Sequence, residues 1–281
     1  TKCECCKSML EVSNFEDVTC IKMSQTLGGT PIYWAACYLI DGLLVDTGPA
    51  HVSEELMRFL VSKNIQIVVN THHHEDHVGS NAAIQKKFGI DIFAHPKAIP
   101  KINKPANLFP YQVMAWGYYV PSKTKKIGGR IDTDNYQFEV ISTPGHCDDH
   151  ICLFEPKNAW LFSGDLHLSD KPKCARLNEN QWKMIASLKA VRMRKPKIMF
   201  QGSGKIVTKA SSALDQTIAY LEDLGERIQR LHKMRMSPAE IRDEIFGQEA
   251  SLSFAGQKIS FQDLTDNQFS TENLIRSFLQ K

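Results

Sequence analysis

The chain has 281 residues, 42% of them hydrophobic and 23% charged, enough apolar material for one large or two small domains with a buried core. A formal net charge of +3 is too weak over that length to argue for nucleic acid or an anionic membrane as the target. No stretch reaches the roughly 18 consecutive apolar residues of a membrane helix, and the polar start Thr1-Lys2-Cys3-Glu4 carries no signal-peptide core. A protein without a membrane span is therefore expected.

The cysteines at 3, 5, 6, 20, 37, 147, 152 and 174 match the spacing of neither a zinc ribbon nor a small disulfide scaffold. Apolar settings such as Trp34-Ala35-Ala36-Cys37-Tyr38-Leu39 lead us to expect reduced core thiols in a cytoplasmic protein. Cys3, Cys5 and Cys6 offer soft ligands, but neighbouring cysteines rarely share one tetrahedral ion.

In chain order, short apolar β-branched runs alternate with amphipathic segments, the pattern of an α/β fold. Strands are expected at residues 17–23, 35–40, 42–46 and 65–70, with a helix at 53–62. A helix at 79–88 should pack through Ala82, Ala83 and Phe88 and end at Gly89. After a strand at 91–94, residues 101–134 lose periodicity and carry Phe109, Tyr111, Trp116, Tyr118 and Tyr119. Such an insertion serves as a lid or fills local core. Strands at 136–142, 150–155, 159–163 and 196–201 follow, with a helix at 179–193. Beyond residue 209 the chain reads as mostly helical. It has a helix at 211–233 and a helix start at Ser237-Pro238-Ala239-Glu240, which has a serine cap, proline in the first turn and glutamate three residues on. Two parts are expected: a catalytic domain over 1–210 and a helical C-terminal extension over 211–281.

The run Thr71-His72-His73-His74-Glu75-Asp76-His77 lies at the C-terminal end of the 65–70 strand and just before the 79–88 helix. Neutral imidazoles and carboxylates gain little by crowding unless they hold a divalent ion. The pattern resolves as His72-x-His74-x-Asp76-His77. His72 and His74 point the same way if strand geometry persists, and Asp76 and His77 lie one step on, which suits two neighbouring metal positions.

This run resembles the defining motif of the metallo-β-lactamase superfamily, and three other segments extend the resemblance. Leu43-Leu44-Val45-Asp46-Thr47-Gly48 is similar to the early strand whose aspartate, here Asp46, supports the site floor. Thr143-Pro144-Gly145-His146 resembles the second motif, and Ser163-Gly164-Asp165 the bridging-aspartate motif. The likeness covers roughly the first 210 residues. It implies an αββα sandwich of two mixed sheets flanked by helices. It also implies a metal held by His72, His74, His146 and Asp165, beside a second position served by Asp76, His77 and Asp165. Many binuclear members end with a histidine in a Gly-His-Gly turn, and here Gly202-Ser203-Gly204 puts Ser203 at that place. A hydroxyl is a poorer ligand than imidazole. We therefore expect one secure metal, with zinc the first choice over iron or manganese, and a weaker second. His167 or Gln201 is a candidate replacement ligand, although an ordinary loop role suits His167 better. His150 or Asp149 is a candidate to orient a ligand imidazole.

The chemistry so implied is hydrolysis by a metal-activated water, with Asp76 orienting it or accepting its proton. The Asp148-Asp149-His150 segment is similar to a branch that holds both glyoxalase-II-like and ribonuclease members. The aromatic 101–134 insertion and the weak net charge favour a small ester, thioester or lactone. The alternative, a metal-dependent ribonuclease or phosphodiesterase, draws on Lys123, Lys125, Lys126 and Arg130 and on Arg227, Arg230, Lys233 and Arg235. Such charge runs are more often solvated faces. A di-iron redox branch resembles His-x-Glu-x-Asp where this chain has His74. Nothing in the sequence sets an oligomeric state.

Overall fold

The computed structural model describes residues 7–254 and 257–280. Cys3, Cys5 and Cys6 lie outside the described residues. Strands β1 (Ser8–Phe15), β2 (Val18–Leu27), β3 (Thr30–Pro31), β4 (Ala35–Ile40) and β5 (Leu43–Val45) come first, and α1 (Ser53–Leu60) leads to β6 (Ile67–Val69). Two short helices, α2 (Glu75–Val78) and α3 (Asn81–Phe88), precede β7 (Asp91–Ala94). Helices α4 (Ile99–Ile102) and α5 (Pro110–Trp116) then precede β8 (Thr124–Lys126). Next come β9 (Arg130–Asp132), β10 (Gln137–Ser142), β11 (Ile151–Glu155), β12 (Trp160–Gly164), β13 (Ala175–Arg176), α6 (Gln181–Arg192), β14 (Ile198–Gln201) and β15 (Ile206–Val207). The chain finishes with α7 (Ala210–Lys233), α8 (Pro238–Phe246), β16 (Ser251–Phe254), β17 (Gln257–Ser260), α9 (Phe261–Leu264), β18 (Phe269–Ser270) and α10 (Thr271–Leu279).

One mixed sheet runs β1-β2-β4-β5-β6-β7-β8, with β3 on β2, and a second runs β15-β14-β12-β11-β10-β9. Period-2 alternation along the strands separates the two faces of each sheet. Cys20, Tyr38 and Val45 point between the sheets, where they meet Phe138, Phe162 and Phe200. Phe162 and Phe200 stack there at 4.7 Å. Their neighbours Ile21, Cys37 and Leu44 face outward onto Leu56 and Leu60 of α1 and Ile84 of α3. The outer face of the second sheet packs Leu161 and Met199 against α6, α7 and α10, through Leu188, Leu214, Leu221, Leu274 and Phe278. The result is helix, sheet, sheet, helix, two mixed sheets flanked by helices as the sequence implies. Helix α7 comes close to α6: a Cβ on Gly225 would lie 2.7 Å from the Trp182 ring.

The differences from the sequence expectation have physical causes. Strand β1 is an edge strand with no fully buried residue, so it shows no alternation to read. Residues 101–134 contain α5, β8 and β9. The chain beyond α7 is not helical throughout, because β16 and β17 form a hairpin and β18 pairs with β13. At Ser237 the expected cap is present: its hydroxyl accepts from the Glu240 amide and Glu240 answers to the Ser237 amide. Among the described residues no helix is long and apolar enough to cross a membrane.

Candidate metal centre

Parallel strands β5 and β6 end side by side, which brings Asp46 next to Thr71. Asp46 Oδ1 accepts from the Thr71 amide and Oδ2 from the Thr71 hydroxyl, both at 2.7 Å. Oδ2 also accepts from His77 Nδ1 at 2.8 Å. The Asp46 backbone is left-handed, with φ 61°, a conformation that aspartate tolerates better than most residues. The Thr71 hydroxyl, having given its proton to Asp46, accepts from His72 Nδ1 at 3.0 Å. His146 Nδ1 donates to Glu179 Oε1 at 2.9 Å. These outer bonds orient the rings of His72, His77 and His146 and turn each Nε2 towards the interior of the site.

Ring nitrogens converge there. His72 Nε2 and His146 Nε2 each lie 2.9 Å from His74 Nδ1. Burial pushes the pKa values of His72 and His74 well below normal; neighbouring imidazoles push His72 further, and Arg176 together with neighbouring imidazoles does so for His74. His72 and His74 do not act as alternate strand residues. Strand β6 stops at Val69, and the two rings meet through different nitrogens. Asp165 spans two groups, with Oδ2 3.5 Å from His146 Nε2 and Oδ1 3.4 Å from His77 Nε2. Asp76 Oδ2 is 3.7 Å from His77 Nε2. Burial opposes a charge on His77, but Asp165, Asp76 and Asp46 together raise its pKa well above normal. Burial pushes Asp76 up to about 6.

The residues fit a divalent ion on two observations. His77 Nε2 and Asp76 Oδ1 are buried with no hydrogen-bond partner, a costly state for polar atoms in a protein interior. His72, His74 and His146 form one compact set of nitrogen donors, and His72, His77 and Asp165 a second set. A tetrahedral ion with nitrogen ligands at about 2.0–2.1 Å spaces those nitrogens roughly 3.3 Å apart, so a small outward shift of the rings accommodates it.

His167 and Gln201 lie elsewhere. Gln201 Nε2 donates to His167 Nδ1 at 2.7 Å, and His167 Nε2 bonds to Thr217 at 3.0 Å. Both His167 ring nitrogens are occupied, and the ring belongs to neither donor set. Gln201 holds His167 on one side and accepts from the Ser203 hydroxyl at 3.3 Å on the other. His150 and Asp149 do not orient a ligand imidazole. His150 Nε2 accepts from the Asp165 amide at 3.1 Å while its Nδ1 bonds to Thr143 at 2.8 Å, so it anchors the backbone of Asp165. Asp149 binds the amide of His73 at 3.0 Å and also its ring.

Sequence reasoning missed Glu179, Thr71, Gln112 and Arg176. Glu179 stands 33 residues from His146, and no local pattern joins them. Gln112 Nε2 donates to Glu75 Oε1 at 2.7 Å, which ties the 101–134 insertion to the metal-motif helix. Beside the donor sets opens a cavity of about 450 Å³, lined by His74 and His146 and by Phe109, Tyr111, Tyr119 and Arg176. The aromatic insertion therefore walls this cavity. Trp116 is instead buried, edge-on to Tyr33 at 5.6 Å.

A family model described as the metallo-beta-lactamase superfamily matches residues 35–203. A hydroxyacylglutathione hydrolase of Rhizobium meliloti (strain 1021) is 30% identical over 128 residues, covering 44% of this chain and 43% of that protein. The beta-lactamase-like protein 2 homolog of Caenorhabditis elegans is 28% identical over 208 residues, covering 71% of this chain and 63% of that protein. The matched stretch thus spans about half the length of these relatives. A metallo-beta-lactamase family protein from Thermus thermophilus superposes with a TM-score of 0.63 at 15% identity, covering 97% of this chain and 91% of that one. At that identity the likeness carries the fold alone.

Proposed function

The chain belongs to the metallo-beta-lactamase superfamily, and we propose that it is a metal-dependent hydrolase of a small ester, thioester or lactone. The observation that carries this reading is the convergence of ring nitrogens from His72, His74 and His146 on one point, beside a cavity walled by aromatic side chains. Zinc suits the nitrogen and carboxylate donors best, with iron and manganese as competitors. The first position takes His72, His74, His146 and Asp165; a weaker second takes Asp76, His77 and the shared Asp165. Ser203 stands where an imidazole would complete the second set. Residues 1–210 carry this machinery in our reading, with 211–281 as an extension.

A divalent ion held there supplies Lewis acidity, activating water and polarising the scissile carbonyl. The chain's own groups do the rest. Asp76 Oδ1 has no partner among the described residues and is free to orient the attacking water and take its proton. Asp46, Thr71 and Glu179 hold the imidazoles in the orientation that faces the site. The aromatic wall of Phe109, Tyr111 and Tyr119 accepts the apolar part of the substrate and limits water access. A small-molecule substrate also agrees with two pairings on the edge strands, where Lys125 binds Asp91 and Arg130 binds Asp132. Those cations are committed to carboxylates and do not line the cavity.

The test is a panel of thioesters, lactones, phosphodiesters and RNA on metal-reconstituted protein, with Asp76→Ala alongside. General-base loss should lower turnover by about 10²–10⁴-fold while the first metal stays bound. Full activity in Asp76→Ala would remove its assigned role, and cleavage of RNA alone would replace the substrate class.

A further inference from the structure

We propose that His73, His74 and Cys147 form a further metal position in the cavity wall, one that takes a thiophilic divalent ion of the cadmium class. His73 and Cys147 lie outside both sets of the metal centre, yet with His74 they offer three donor atoms within 4.8 Å of one another. All three residues line the cavity of about 450 Å³. A tetrahedral ion bound through nitrogen at about 2.0–2.1 Å and sulfur at about 2.3 Å spaces its donors roughly 3.3–3.6 Å apart. No pair has to close by more than about 1.5 Å to reach that spacing, a movement open to a thiol that turns on one bond.

The His73 ring is supported as a metal-bound imidazole is. Its Nδ1 donates to the Asp149 carboxylate, 2.8 Å from Oδ1 and 3.0 Å from Oδ2. A carboxylate behind the ring is the usual outer partner of a ligating histidine. An ionised carboxylate only accepts hydrogen bonds, so Nε2 is the nitrogen left to coordinate. Asp149 is itself fixed: it is fully buried, accepts from the His73 amide at 3.0 Å and accepts from Lys101 Nζ at 2.7 Å. Cys147 is a free, partly buried thiol, and an ion bound to it displaces the thiol proton to solvent. Softness separates this position from its neighbour. The first set offers imidazole and carboxylate without sulfur, whereas a thiolate draws the softer ion. His74 belongs to both sets. A neutral imidazole has one nitrogen lone pair to give, so an ion held here withdraws His74 from His72 and His146. Occupancy therefore inhibits. That consequence rests on the hydrolase reading, but the binding does not.

The experiment titrates cadmium(II) into the full chain carrying Cys3→Ser, Cys5→Ser and Cys6→Ser, and follows the ultraviolet thiolate-to-cadmium charge-transfer band. The band should appear and saturate. Adding Cys147→Ser should abolish it while cadmium still fills the sulfur-free first set. Adding Cys174→Ser instead, at the other partly buried thiol, should leave it unchanged. Asp149→Asn should weaken the affinity read from the band by about 10- to 100-fold, and His73→Gln carries the same test if Asp149→Asn does not fold. A band that is lost in Cys147→Ser and kept in Cys174→Ser upholds the position even if no ester is cleaved. No band, or one that survives Cys147→Ser, overturns it even if the hydrolase reading stands. On zinc-loaded protein, cadmium should inhibit thioester turnover less in Cys147→Ser than in its parent, and equal inhibition would overturn the inhibitory consequence.

Discussion

Replacing Gly202 with alanine places a Cβ 2.2 Å from Asp165 Oδ1 and 2.9 Å from His77 Cε1. Carbon and oxygen in contact sit at about 3.3 Å, so the carboxylate has to retreat by roughly 1 Å. The turn cannot yield instead. The Gly202 amide donates to Gly164 O at 2.8 Å, and its carbonyl accepts from the Ala36 amide at 2.7 Å. Nor does backbone strain confuse the result, because Gly202 is not among the glycines with positive φ. A misplacement of that size costs on the order of 10²-fold in turnover and should also weaken metal retention, since Asp165 is proposed to serve both metal positions. The assay is metal per chain after dialysis against a zinc buffer, thioester turnover and thermal unfolding, with Gly129→Ala as control. An added Cβ at Gly129 meets nothing within 4 Å and should change none of the three. If Gly202→Ala keeps turnover and metal affinity within about twofold of the wild type, against the loss expected from such a misplacement, the account of this turn is wrong.

Asp46→Asn keeps the left-handed backbone, which asparagine also tolerates, but loses the charged acceptor for Thr71 and His77. Zinc affinity should fall about 10- to 100-fold in competition with a chromophoric chelator, and unchanged affinity would rule out this support role. Ser203→His should raise bound metal from one towards two per chain; constant stoichiometry would show that the turn is misassigned. Asp149 gives a pH test. Burial opposes its charge, but donors from His73 and Lys101 hold its pKa well below the usual carboxylate range. Its ionised form therefore contributes stability that is fully present above about pH 4 and is lost as pH falls further. Asp149→Asn should lower the melting temperature at neutral pH and flatten its decline in acid; superimposable acid limbs would refute the linkage.

The residues of the candidate centre were legible in the sequence because they sit in short segments at strand ends. His72, His74, Asp76 and His77 come within six residues of one another, and His146 and Asp165 each follow a strand with a clear apolar run. The four-layer fold was legible through the resemblance that those segments carry, and apolar runs such as Leu43-Leu44-Val45 are buried on both faces of their sheet. Elements without such a run or motif escaped, including edge strand β1 and the pairing of β13 with β18. The partners that make the site work were decided only by tertiary structure. Glu179 reaches His146 across 33 residues and Gln112 reaches Glu75 across 37. Arg176 is set in the cavity wall by a strand near residue 269. A metal ligand must belong to one of few residue types and announces itself by composition. A side chain that orients it needs only to be close in space, and the distance along the chain does not record that closeness.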